Sequence, residues 1–162
     1  NPLFLRLSNI LLGNDTSARG RTTEAFVIAQ KLLDGSSQYW GIGPGQVKIA
    51  GADLIRSFYG YDPFASVAIP NAAAETLAIF GWVGFALRIW SELLLFFVTR
   101  PWTNYYRLLL FLFMFIYQFT GSFITNGAEY VIWILAFTPV FSQYDVKVSA
   151  RRVVTPPLPL MV

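Results

Sequence analysis

The run NAAAETLAIFGWVGFALRIWSELLLFFVTR, residues 71–100, decides the fold. Asn71 is suited to cap a helix, because its side-chain oxygen can accept from the free amides of the first turn. The spacing predicts one apolar helix from 72 to about 98, enough for the roughly 20 residues that cross hydrocarbon. Two further apolar runs follow it. Arg100-Pro101-Trp102-Thr103-Asn104 turns the chain into a second helix over 105–125, with Tyr and Trp at its mouth as an aromatic belt would place them. Asn126-Gly127 then breaks the pattern. The third run, 128–141, is shorter and reads as a short span, a re-entrant helix or an interfacial one.

Composition supports the same class. Of 162 residues, 55% are hydrophobic and 13% charged, against about 25% charged in an ordinary soluble domain. The mean hydropathy is +0.51. So much apolar surface must face lipid or a partner, which argues against disorder, a nucleic-acid-binding arm and a free cytosolic enzyme. The chain has no Cys and no His, so disulfides, thiolate metal sites and the commonest general base are all missing. No metal or cofactor site is visible, and a net charge of +3 is too weak and dispersed for nucleic acid.

Residues 1–70 differ in kind. They hold most of the glycine and the polar turns, and they read as a mostly helical region outside the membrane. The segment 2–12 is apolar but too short to span. A polar turn over 13–21 leads to a helix over about 23–33, capped by Thr22 or Thr23 and stopped by Asp34-Gly35-Ser36-Ser37. The glycines of Gly41-Ile42-Gly43-Pro44-Gly45 permit a tight surface turn. They do not form a phosphate loop, because the Lys and Ser/Thr of that motif are absent. A further short helix is expected over 49–58. The chain opens Asn1-Pro2, which reads as a trimmed start or part of a longer chain.

Charge gives an orientation. Arg100 and Arg107 flank the first hairpin, and Lys147, Arg151 and Arg152 follow the last run. Basic loops stay cytoplasmic, so three spans would leave 1–70 outside and the tail 142–162 inside. Within the first span, Arg88 and Glu92 lie four apart on one face and can pair. Ala78, Gly81 and Gly84 line up as a small-residue face for close helix packing. No broken-helix pair or internal repeat, the usual mark of a transporter, is visible. Glu75 sits near the outer interface beside Asn71, as a simple interfacial carboxylate or a catalytic one. Arg19 and Arg21 flank a glycine before a helix N-terminus, an arrangement suited to an anion.

Three stretches carry a resemblance. Asp15-Thr16-Ser17-Ala18-Arg19-Gly20-Arg21 is similar to the Ser-rich, Arg-ending turn of the O-antigen ligase/polymerase superfamily. Trp40-Gly41-Ile42-Gly43-Pro44-Gly45-Gln46 resembles its Gly-hydrophobic-Gly-x-Gly element. The run from Pro70 to Gly84 resembles its His-Asn, then Glu, then Gly-hydrophobic-hydrophobic-Gly, with Pro70 where ligase members carry His. The resemblance implies the C-terminal part of a polytopic glycosyltransferase in the bacterial inner membrane. Its donor would be a glycan linked to polyprenyl diphosphate. By that resemblance Arg19, Arg21 and Asn71 would bind substrate, and Glu75 would be the remaining acid or base. The alternative expectation is a non-catalytic membrane subunit, a truncated relative packed against other integral membrane subunits, with Ala78, Gly81 and Gly84 as its docking face.

Overall fold

The computed structural model describes residues 16–60, 67–121 and 124–145, and these are all-helical, without strands. In chain order the helices are α1 (Thr16–Arg21), α2 (Thr23–Asp34), α3 (Ala52–Tyr59), α4 (Ala72–Thr99), α5 (Tyr105–Tyr117) and α6 (Gly127–Phe137). Short 3-10 turns lie at Gln46–Lys48, Pro101–Thr103 and Ser142–Tyr144. The segment 2–12, Arg151 and Arg152, and most of the expected tail fall outside the described residues.

Asparagine starts each of the three apolar helices. Asn71, Asn104 and Asn126 sit in extended backbone, and each side chain accepts from an amide of the first turn: Ala74, Arg107 and Ala128 respectively. This satisfies donors that a helix start otherwise leaves free.

α4 is not one helix but two. Gly81, at φ 64° and ψ −167°, breaks it into halves 72–80 and 82–99. A straight helix would hold residues 76 and 88 about 18 Å apart along its axis, far beyond the reach of an arginine. Yet Arg88 Nη1 donates to Thr76 Oγ1 at 3.0 Å, so the halves turn sharply onto one another.

The break divides the molecule into two bodies. In the first, α2 packs along the half-helix 72–80. Its core joins Ala25, Ile28 and Leu33 of α2 to Val47, Ile55, Ile69, Leu77 and Ile79. The core therefore runs through the boundary expected at Pro70, and past the break Phe85 and Ile124 pack against its edge. In the second body α5 packs against α6, α6 touches α4, and α5 reaches 82–99 through the Phe96–Phe111 contact. Phe111 is its aromatic centre, touching Phe96 at 4.4 Å and Trp133 at 5.5 Å between ring centroids.

α5 stops at Tyr117, short of the expected 125, for a visible reason. The carbonyls of Gln118 and Phe119 accept from the Ala73 amide and from Asn71 Nδ2. The two residues just past α5 thus give their carbonyls to the start of α4 and not to a further helical turn. By length and composition α4 can cross a membrane. Its uninterrupted part, 82–99, is about 27 Å long at ~1.5 Å per residue, and α5 and α6 are shorter.

Candidate functional site

The three stretches singled out in the sequence meet in space. Asn71 is the link at one end. Beyond its cap to the Ala74 amide, Nδ2 donates to the Arg21 carbonyl at 2.8 Å and to the Phe119 carbonyl at 2.6 Å. Asn71 is wholly buried, and both its amide protons are spent. It works as a clamp joining α1, the start of α4 and the end of α5.

At the other end, the glycine loop fills the break. A helix interrupted at Gly81 leaves carbonyls free on one half and amides free on the other. The Ala78 and Ile79 carbonyls accept from the Ile42 and Gly43 amides, at 3.0 and 2.9 Å. The Trp82 and Val83 amides donate to the Gln38 and Tyr39 carbonyls, at 3.0 and 3.2 Å. The backbones approach so closely that side chains are excluded. A Cβ on Gly41 would lie 2.5 Å from the Ile79 carbonyl, and one on Gly81 would strike the carbonyl of Tyr39.

This corrects the expected small-residue face. Ala78 is buried against α2 rather than against a second span, Gly81 terminates a half-helix, and Gly84 lies under the Cβ of Phe80 from across the break. A continuous stripe needs a straight helix, and the break at Gly81 removes it.

Glu75 lies one turn inside α4, largely buried, and its Oε2 accepts from the Ile124 amide at 3.0 Å. It tethers the α5–α6 connection to the first body. Arg19 and Arg21 occupy the last turn of α1 instead of an open loop. Gly20 between them is buried, its carbonyl accepting from the Tyr59 hydroxyl at 2.7 Å. The two arginines are exposed, and Arg19 pairs with Glu24 at 3.4 Å.

A second polar cluster lies in the apolar body, and the sequence reading found only part of it. The Arg88–Glu92 pair forms at 3.2 Å. Arg88 also donates to Gln118 Oε1 at 2.9 Å, to Thr76, and to Glu129 on α6. Gln118 Nε2 donates to the second oxygen of Glu92 at 2.7 Å. The missed partners carried a signal: Gln118 and Glu129 are polar groups in apolar runs, and such groups seek one another in a low-dielectric interior. Cavities of about 520 and 460 Å³ flank Arg88, one lined by Leu95, Trp133 and Phe137, the other by Phe80, Leu87 and Trp90.

Arg107 is the other correction. It is not a free loop charge but a buried one. Its Nε donates to the Ala136 carbonyl at 3.0 Å, and Nη2 donates to the Thr99 and Phe137 carbonyls at 2.8 and 3.1 Å. One guanidinium thus closes the C-terminal ends of α4 and α6, where the helix dipoles favour a cation.

Arg88, Glu92, Arg107 and Glu129 therefore all turn inward, while Leu87, Trp90, Leu94, Phe97, Leu109, Phe113, Val131 and Ile134 face outward. No protein-family model matches the chain, and no curated protein or solved structure matches it.

Proposed function

We propose that this chain is part of a membrane glycosyltransferase of the O-antigen polymerase/ligase type, which transfers a glycan from a polyprenyl diphosphate carrier to an acceptor hydroxyl. The observation that carries the reading is convergence. The stretches around Arg21, Gly41–Gly45 and Asn71–Gly84, which carry the resemblance, meet through Asn71 and the loop at Gly81.

The membrane part of the proposal rests on the second body. Arg88, Glu92, Arg107 and Glu129 point in, Arg100 is exposed only at the helix end, and many aliphatic side chains point out, the reverse of a soluble bundle and the arrangement suited to hydrocarbon. The first body then lies on the extracytoplasmic side of a bacterial inner membrane, with Arg19 and Arg21 on its surface. Arg21, and with it Arg19, binds the diphosphate and steadies the charge that develops on it as it leaves. Glu75 is the acid or base of the transfer.

Arg21→Ala in the intact protein tests this. Polymer formation in cells falls by about 100-fold or more, the scale expected when a transition-state charge loses its partner, while the protein still reaches the membrane. Unchanged polymer at equal expression contradicts the assignment.

A second reading, a non-catalytic subunit packed on a larger membrane complex, is favoured by one observation: Asn71 and Glu75 are occupied by structural hydrogen bonds. Glu75→Gln separates the two. Gln can still accept from the Ile124 amide, so the fold survives, and activity falls about 100-fold or more only if the carboxyl moves a proton.

A further inference from the structure

The loop that fills the helix break carries two large aromatic side chains at its tip, Tyr39 and Trp40, exposed by 69% and 70%. Nothing in the first core explains them. The four backbone hydrogen bonds at Gly81 hold this tip rigidly beside the start of 82–99. There Phe80 and Trp82 are also exposed, by 41% and 47%. Four aromatic side chains thus ring the point where the apolar half-helix begins. At its other end Trp102 and Tyr105 are exposed as well, just past Thr99. The helix between the two sets measures about 27 Å, close to the ~30 Å thickness of a bilayer's hydrocarbon core.

We propose that residues 38–40, together with Phe80 and Trp82, form an interfacial anchor that seats the first body on the lipid headgroup layer, with the break at Gly81 lying at that interface. The inference rests on the membrane reading above and goes beyond it, because it assigns a lipid-binding surface to a loop of the polar body. Trp and Tyr favour this depth, where an apolar ring and a polar edge are both satisfied. The spacing selects the occupant: a partner protein could cover one aromatic set, but a bilayer presents two interfaces about one helix length apart. Filling a broken helix with a neighbouring loop also meets the rule that non-helical backbone near hydrocarbon must be covered by protein.

The absence of Cys makes the test direct, since each introduced cysteine is a unique labelling site. Gln38→Cys, Leu94→Cys and Asp53→Cys are made singly in the full chain and spin-labelled. Each is reconstituted in nanodiscs of phosphatidylethanolamine and phosphatidylglycerol. Access of a water-soluble nickel relaxant is then compared with access of oxygen. The label at 38 is expected to show nickel access at least threefold below that at 53, with a depth between those at 53 and 94. In a Tyr39→Ser/Trp40→Ser background, where only exposed side chains change, that protection is lost. A label at 38 as open to nickel as the one at 53, while 94 is buried in lipid, overturns the anchor and leaves the membrane reading intact. A label at 94 open to water overturns both.

Discussion

Gly81 shows how much one residue controls. Its φ of 64° lies in the left-handed region that side chains disfavour, and its missing Cβ makes room for the Tyr39 carbonyl. Gly81→Ala meets both penalties and is expected to cost about 2 kcal/mol or more. Gly60→Ala, at a similar φ of 66° but in the left-handed helical well (ψ 32°) and in open space, should cost only about 1 kcal/mol. Thermal unfolding in detergent compares them, and equal losses would mean that neither the backbone at Gly81 nor the loop beside it is tight. Asn71 is the matching clamp. Asn71→Ala removes a helix cap and strands two part-buried carbonyls, a loss of about 2–3 kcal/mol. Asn71→Asp keeps the cap to Ala74 but cannot donate to Arg21 and Phe119, so it recovers only part of that loss. The cap was legible from the sequence, as Asn before an apolar run. The two cross-links were not, because nothing local specifies which carbonyls lie opposite the Nδ2 group.

Among the elements, α5 and α6 were easier to read at their starts than at their ends, whereas α3 was read closer at its end, 58 against Tyr59, than at its start, 49 against Ala52. The sequence places the starts at 72, 105 and 128, and the structure has Ala72, Tyr105 and Gly127. Starts are set by local chemistry, a side-chain oxygen bonded to nearby amides. The end of α5 is set instead by the first turn of α4, so no pattern within 105–125 announces it. The break in α4 was hidden for a related reason: Gly81 in an apolar run reads equally as a packing notch or a stop. What settles it is a loop forty residues earlier that can donate to one side of the break and accept from the other. Arg107 makes an element-scale prediction. Arg107→Lys keeps the charge at the ends of α4 and α6 but not the fork that reaches three carbonyls. Arg107→Met loses both, with an expected cost of about 2–3 kcal/mol, and lysine should fall between the two. The Arg88 cluster predicts a different order. Arg88→Met leaves Glu92 and Glu129 buried without their cation and should cost about 3–5 kcal/mol. Glu129→Gln, which keeps an acceptor for Arg88, should cost much less. Equal costs would show that the ion pairs contribute no more than packing.

At the scale of the molecule, the all-helical class was legible from composition and the apolar runs, whereas the division into bodies was not. The expected boundary followed composition, which changes at Pro70, but burial follows geometry, and the half-helix 72–80 belongs to the core of α2. On the proposed membrane reading, the second body presents an apolar exterior to lipid and keeps Arg88, Glu92, Arg107 and Glu129 within. The most direct measurement is a cysteine scan along 82–99 in sealed membrane vesicles. A membrane-impermeant maleimide is applied from each side, with Asp53→Cys as the water-exposed reference. The account predicts a continuous protected block, with the outward positions 87, 90, 94 and 97 at least tenfold slower than position 53. Reactivity that rises and falls with a period of three to four residues, fast at those same outward positions, would mark a helix with one wet face and contradict it.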